Sequence, residues 1–117
     1  MTAWIITKDK IADPEDIAAH PDGGSNLHAK NLTGPSQASP RDVERLKAGE
    51  GIAFRLLDDD GEVYYYGRRL EQSDCTEWYE DHIGESELAP LDNFGRPNAG
   101  CAIQEEKNKD GKWEAIN

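Results

Sequence analysis

Long apolar runs are missing from this sequence. No stretch approaches the length of a membrane-spanning helix, which needs about 20 consecutive apolar residues. The chain starts with MTAWIITKDK, which has neither the basic region nor the long apolar region of a secretory signal peptide. We therefore expect no interaction with a membrane and predict a cytoplasmic location.

Cysteine is also scarce. Cys75 and Cys101 are too few for a disulfide framework, and they do not have the spacing of metal ligands. In the absence of an export signal, we expect both to be free thiols in a reducing compartment. No catalytic or cofactor motif stands out, so we predict no metal site and no cofactor.

Positive charge is in deficit. The chain has 13 Lys and Arg residues against 24 Asp and Glu residues, which gives a formal net charge of −11 at pH 7. Nucleic acids and anionic membranes are bound by positive surfaces. We therefore predict no direct binding to nucleic acid, whereas a basic protein partner or a cation remains compatible with the charge.

The residues that are present predict a small α+β protein. A length of 117 residues suits one domain spanning residues 1–117. A chain of this size buries roughly two-thirds of its unfolded surface, enough for one modest core. We predict a mainly antiparallel sheet of about five strands, including two β-hairpins, with one clear helix packed on it.

The strongest β-hairpin signal is the stretch Gly51–Leu70. Alternating apolar residues and a run of tyrosines flank the turn Asp58–Gly61. Glycine adopts positive φ without steric cost, so Gly61 predicts a type I turn closed by a bulge. A solvated turn accounts for the three aspartates, although with Glu62 they form a cluster that a divalent cation can also occupy.

This turn predicts the register of the hairpin. Three cross-strand pairs are expected: Leu56 with Tyr64, Phe54 with Tyr66, and Arg55 with Tyr65 as a cation–π pair. The expected core face consists of Ile52, Phe54, Leu56, Tyr64 and Tyr66. A two-residue turn would instead place Phe54 opposite Gly67, which packs less well.

Other elements are predicted from capping and turn residues. Pro40–Lys47 should be a helix on the sheet surface, with Ser39 as its N-cap and Gly49 as its end. Ala3–Thr7 predicts a strand in the interior of the sheet. Pro14–Ala19 is compatible with one or two helical turns.

A second hairpin is predicted near the C-terminus, from Cys101–Lys107 and Lys112–Ile116. Its register stays open between two alternatives. A bulged turn pairs Lys107 with Trp113 and Glu106 with Glu114, whereas a tighter turn pairs Lys107 with Glu114. The last strand is expected at an edge of the sheet, where a second copy of the chain is able to pair with it.

Two candidate surfaces lie between the hairpins. The acidic run Glu71–Asp92 contains no Lys or Arg, and either keeps the protein soluble or binds a basic partner. Its candidate binding residues are Glu77, Trp78, Tyr79, Glu80 and Asp81, because aromatic side chains anchor protein interfaces.

The second candidate surface is Leu91–Cys101, read as a compact loop anchored by Leu91 and Phe94. Its candidate binding residues are Asp92, Asn93, Arg96 and Asn98. The alternative is that these residues only turn the chain between two strands.

A catalytic alternative rests on Cys75 and His82. Seven residues apart on a helix, they would share one face and suit a small cysteine- or metal-dependent hydrolase. The acidic surroundings would, however, raise the pKa of the thiol, which opposes its activation. We therefore assign no catalytic residue.

Four segments together resemble a group of small uncharacterised proteins of actinobacteria and their phages. These segments are Leu32–Pro35, Phe54–Gly67, Ala89–Cys101 and Gly111–Ile116. The resemblance covers most of the chain, except that Glu71–Leu88 is longer and more acidic than is expected for this group. It implies no established activity and is consistent with an accessory role in a phage or mobile element. Together these observations favour a non-enzymatic interaction protein.

Overall fold

The computed structural model describes residues 3–19, 28–34, 39–70 and 88–116. They form an α+β fold built on one antiparallel sheet of six strands, in the order β2-β1-β4-β3-β5-β6. The strands are β1 (Trp4–Asp9), β2 (Thr33–Gly34), β3 (Ile52–Leu57), β4 (Val63–Arg69), β5 (Ile103–Lys107) and β6 (Trp113–Ala115). The first strand is interior and β6 is at an edge, as the sequence predicts.

The helices are short and lie outside the sheet. They are α1 (Pro14–Ala19), α2 (Pro40–Lys47) and a π-helical segment, Pro90–Gly95, that continues into α3 (Arg96–Ala99). The cap of α2 is confirmed, because Ser39 Oγ accepts a hydrogen bond from the Arg41 N–H at 3.2 Å. Within the described ranges, no helix combines the length and apolar composition that crossing a membrane requires.

The turn of the β3–β4 hairpin is as predicted, but the register beyond it is not. The Gly61 N–H donates to Asp58 O at 3.1 Å, and Gly61 has a φ of +87°. Leu57 therefore pairs with Val63, as a bulged turn requires. Beyond that pair the register shifts by one residue, and Leu56 lies opposite Tyr65 rather than Tyr64.

The shift is a β-bulge at Tyr64, which has no Cα partner on β3. The Tyr64 hydroxyl donates to Asp58 Oδ2 at 3.0 Å, and its carbonyl accepts the Lys10 N–H at 2.9 Å. These two contacts stabilise the extra residue. Phe54 therefore pairs with Gly67 after all, and the predicted pairing with Tyr66 is wrong.

Phe54 opposite Gly67 is a close fit rather than poor packing. A Cβ at Gly67 would clash with the Phe54 ring and the Ile5 carbonyl oxygen. Glycine therefore provides the space that the ring occupies. Tyr65 is buried, and Tyr66 lies on the opposite face, so the predicted core face is wrong for Tyr66.

The second hairpin adopts the bulged register. Lys107 pairs with Trp113, and Glu106 pairs with Glu114. The Asn108 side chain holds this turn, because its Oδ1 accepts the N–H groups of Asp110 at 2.9 Å and Lys112 at 3.0 Å.

The two faces of the sheet are covered differently. One face, which we call the closed face, carries Trp4, Phe54 and Leu56, which join the main buried cluster with Leu91 and Phe94 of the π-helical segment. On the other face, which we call the open face, Ala3, Ile5 and Leu70 form a smaller cluster with Leu46 of α2. The division follows from the alternation of side chains along β1.

The predicted loop Leu91–Cys101 is helical in large part, so that prediction is wrong in conformation. The two predicted anchors are nevertheless confirmed, because Leu91 and Phe94 are buried. The Phe94 ring lies 5.6 Å from the Trp4 ring and 4.8 Å from the Tyr65 ring, measured between centroids. Burial of these anchors stabilises helical turns that the local sequence does not favour.

Candidate functional site

Residues 71–87 of the first candidate surface, the acidic run, lie outside the described residues. This applies to Glu77, Trp78, Tyr79, Glu80 and Asp81. It also applies to Cys75 and His82, the two residues of the hydrolase hypothesis.

The second candidate surface is described in full. Asp92, Asn93, Arg96 and Asn98 are all exposed on the helical turns of residues 90–99. Arg96 Nε lies 3.3 Å from Asp92 Oδ1, one helical turn away. Asn98 Nδ2 donates to the Phe94 carbonyl at 2.8 Å, so part of its polarity stabilises the segment itself. The structure therefore brings these four residues together on one exterior segment.

A buried polar network fixes this segment to the closed face. Arg69 donates twice to Glu106, to Oε2 from Nε and to Oε1 from Nη2, the latter at 2.7 Å. Gln104 Nε2 donates to Glu106 Oε2, and Gln104 Oε1 accepts the Leu91 N–H, both at 3.2 Å. Gln104 is fully buried. The network thus links the β5 strand to the first turn of the helical segment.

In the aspartate cluster at the tip of the first hairpin, the Asp58 carboxylate already accepts hydrogen bonds from the turn. Carboxylate oxygens of Asp58, Asp59 and Asp60 lie within 4.8 Å of one another. Asp58 Oδ1, however, accepts the N–H groups of Asp60 at 3.0 Å and Glu62 at 2.8 Å. These bonds and the Tyr64 hydroxyl lower the pKa of Asp58. The geometry is that of a turn, and a calcium site needs about six to eight oxygen ligands.

Cys101 is not arranged as a nucleophile. Its side chain is buried against the closed face. Burial, and to a smaller extent the negative charge of Asp58, raises the pKa of the Cys101 thiol to about 11. Because the thiolate is the reactive form, this thiol is a packing residue.

The sequence did not predict a surface on the open face. Lys8, Arg55, Tyr66, Lys107 and Trp113 form what we call the cation–aromatic row. Lys8 Nζ lies 5.9 Å from the centre of the Tyr66 ring. Arg55 Cζ lies 4.6 Å, and Lys107 Nζ 5.5 Å, from the centre of the Trp113 ring.

The row is continuous because its two rings also contact each other. The centroids of Tyr66 and Trp113 are 6.0 Å apart in an edge-to-face arrangement. Arg55 Nε also donates to Glu105 Oε1 at 2.5 Å. Lys8 and Lys107 are exposed, whereas the two rings and Arg55 are partly exposed. The row therefore lies at the surface, beyond the part of this face that packs beneath α2.

The row escaped sequence reasoning because it depends on register. The expected hairpin register placed Tyr66 in the core and Arg55 beside Tyr65. The bulge at Tyr64 instead puts Tyr66 opposite Arg55 on the open face. A second register irregularity, between Ile6 and Lys8 on β1, puts Lys8 opposite Tyr66. One signal for the row was present in the sequence: the bulged form of the second hairpin pairs Lys107 with Trp113.

Comparisons with known proteins do not assign this site. No protein-family model matches the chain, and no curated protein or solved structure matches it. The functional argument therefore rests on the residues described above.

Proposed function

We propose that this chain is a small interaction protein that acts in the cytoplasm, as a phage or mobile-element accessory, by binding a basic or nucleic-acid-binding protein. The uneven distribution of charge carries the proposal. Eight of the 24 acidic residues lie between Glu71 and Asp92, and no Lys or Arg lies there. All 13 basic residues lie outside this run. A concentrated negative segment attracts a basic partner more strongly than the same charge spread evenly.

Two further observations support this proposal. The acidic run contains Trp78 and Tyr79, and these residue types are enriched among the energetically dominant residues of interfaces. Asp92, at the end of the run, is exposed on a segment whose inner residues Leu91 and Phe94 are buried. A surface held by buried anchors loses little conformational entropy when a partner binds.

The competing hypothesis is a small cysteine- or metal-dependent hydrolase that uses Cys75 and His82. It predicts turnover of an activated ester such as p-nitrophenyl acetate, abolished by Cys75→Ala. The interaction proposal predicts no turnover above background from the unsubstituted chain.

Charge reversal tests the acidic surface. The variant Glu77→Lys/Glu80→Lys/Asp81→Lys should bind a fluorescein-labelled deca-lysine peptide at least about tenfold more weakly, since three local attractions become repulsions. Fluorescence anisotropy measures the dissociation constant, and binding by the unsubstituted chain should weaken as salt is raised from 50 to about 300 mM.

The matched control is Glu15→Lys/Glu44→Lys/Asp110→Lys, which changes the net charge equally at three exposed positions. We expect its affinity for deca-lysine to change by no more than about threefold. An equal loss in the two variants would show that only total charge matters and would overturn the proposal.

A further inference from the structure

We infer that the cation–aromatic row binds an extended acidic segment of a partner protein. This inference goes beyond the proposed function, because it concerns another surface and a ligand of the opposite charge. Lysine, arginine and aromatic side chains together form a surface that attracts carboxylates and offers apolar contact.

Local charge supports an acidic ligand, although the whole chain is acidic. The row contains three cations, Lys8, Arg55 and Lys107, and one carboxylate, Glu105, lies opposite Arg55. Glu105 is bound to Arg55 at 2.5 Å. The row is thus a local excess of positive charge in a chain of net charge −11.

The positions of the two exposed lysines also indicate a carboxylate ligand. Lys8 and Lys107 lie over aromatic rings. An ammonium group has three donors, and a ring contact leaves them able to bind oxygen acceptors. The ring therefore holds each ammonium in place, which lowers the entropy lost when a carboxylate binds.

The same contacts disfavour single-stranded nucleic acid. Bases bind sheets by stacking on aromatic faces. Cations already lie over the rings of Tyr66 and Trp113, so a base would have to displace them before it could stack. A carboxylate can bind these cations without displacing them from the rings.

The dimensions of the row suit a short extended peptide. Lys8 on β1 and Lys107 on β5 are three strands apart and offset by two residues, about 16 Å in all. In an extended chain, residues i and i+4 point to the same side and lie about 13 Å apart. Two acidic residues at this spacing, with an apolar residue midway between them on the same side, would reach both lysines through their long side chains.

Nuclear magnetic resonance tests the inference on the full chain. The probe is the blocked peptide Thr-Glu-Thr-Val-Thr-Glu, whose valine faces the same side as its two glutamates, and its control peptide carries Gln in place of both Glu residues. We expect the acidic peptide alone to shift the ¹⁵N–¹H signals of Lys8, Arg55, Tyr66 and Lys107 and of the Trp113 indole.

A pair of variants checks the location. Lys8→Gln/Lys107→Gln should weaken binding of the acidic peptide at least about fivefold, because two charge-assisted contacts are lost. Lys47→Gln/Lys109→Gln removes the same charge from exposed positions outside the row, and its affinity should stay within about twofold. All four lysines are exposed, so the fold should persist, which a thermal melt confirms.

Three results would overturn the inference: no shifts in the row at several millimolar peptide, equal weakening in both variants, or row shifts produced by a hexathymidine oligonucleotide and not by the peptide. Deca-lysine binding by the unsubstituted chain separates the two proposals. If the unsubstituted chain binds deca-lysine but not the acidic peptide, the interaction proposal stands and only the inference falls.

Discussion

At the scale of single residues, one side chain in each hairpin tip does the same work. Asp58 Oδ1 accepts the N–H groups two and four residues later, and Asn108 Oδ1 does the same in the second hairpin. Gly61 and Gly111 close the two turns with φ values of +87° and +80°. An amide oxygen is therefore an adequate substitute for a carboxylate oxygen in this geometry.

The pairing of Asp58 and Asn108 predicts a graded response to substitution. Asp58→Asn should change the melting temperature by no more than about 2 °C at pH 7, whereas Asp58→Ala should lower it by about 5 °C. Asp59→Ala serves as the control, since Asp59 is exposed and accepts none of these bonds. Calorimetry measures the three melting temperatures, and equal losses for Asp58→Ala and Asp59→Ala would contradict this role.

The same residue predicts a pH effect of known sign. Hydrogen bonds from the Glu62 N–H, Tyr64 hydroxyl and Asp60 N–H lower the pKa of Asp58 below 3.8. Its stabilising contribution is present above pH 3.8 and is lost as pH falls through the lowered pKa. Asp58→Asn should therefore lose less stability than the unsubstituted chain between pH 5 and about pH 2.

At the scale of elements, strand β5 shows how alternation assigns different roles to identical residues. Glu105 faces the open side and binds Arg55, with both side chains about one-fifth exposed. Glu106 faces the closed side and binds Arg69, whose side chain is only 6% exposed. A charge pair removed from water is more sensitive to loss of one partner than a surface pair.

This difference predicts unequal effects of two neighbouring substitutions. Glu106→Gln should lower the free energy of unfolding by about 3 kcal/mol, because it removes the bidentate partner of a buried guanidinium. Glu105→Gln should cost about 1 kcal/mol or less, since water screens its pair. Urea titration measures both values. Equal costs would show that burial does not distinguish the two pairs.

The helical segment Pro90–Ala99 shows where the prediction of secondary structure from the sequence failed. Its many turn-forming residues predicted a loop, yet the prediction of Leu91 and Phe94 as anchors is confirmed. Local propensity does not contain the bond from the Leu91 N–H to Gln104 or the packing of Phe94 on Trp4 and Tyr65. Those tertiary contacts stabilise helical geometry in a segment whose sequence alone favours turns.

At the scale of the whole molecule, charge is strongly unbalanced. The chain carries a net charge of −11, and no basic residue lies between Glu71 and Asp92. Excess like charge destabilises a compact chain through self-repulsion, which salt screens. The proposed binding of a basic partner would relieve the same repulsion.

Raising NaCl from 20 to about 200 mM should therefore raise the melting temperature by about 3 °C. The variant Glu77→Gln/Glu80→Gln/Asp81→Gln removes three negative charges, and salt should raise its melting temperature less. Scanning calorimetry at the two salt concentrations makes the comparison. An identical salt effect in both proteins would show that the acidic run does not contribute to the repulsion.

Features that depend on a few neighbouring residues could be read from the sequence. The Ser39 cap and the bulged turn at Gly61 are of this kind, whereas the turn at Gly111 left two registers open until the structure showed the bulged one. Capping and turn formation are local, because the participating groups lie within about four residues of one another. The α+β class followed from the same local signals.

The tertiary structure alone decided which side chains share a face. The bulge at Tyr64 is stabilised by contacts with Asp58 and with Lys10 of a distant segment. Because side chains alternate along a strand, one extra residue moves each following side chain to the other face. That shift placed Tyr66 opposite Arg55, and a second irregularity on β1, between Ile6 and Lys8, placed Lys8 opposite Tyr66. Together the two irregularities created the cation–aromatic row.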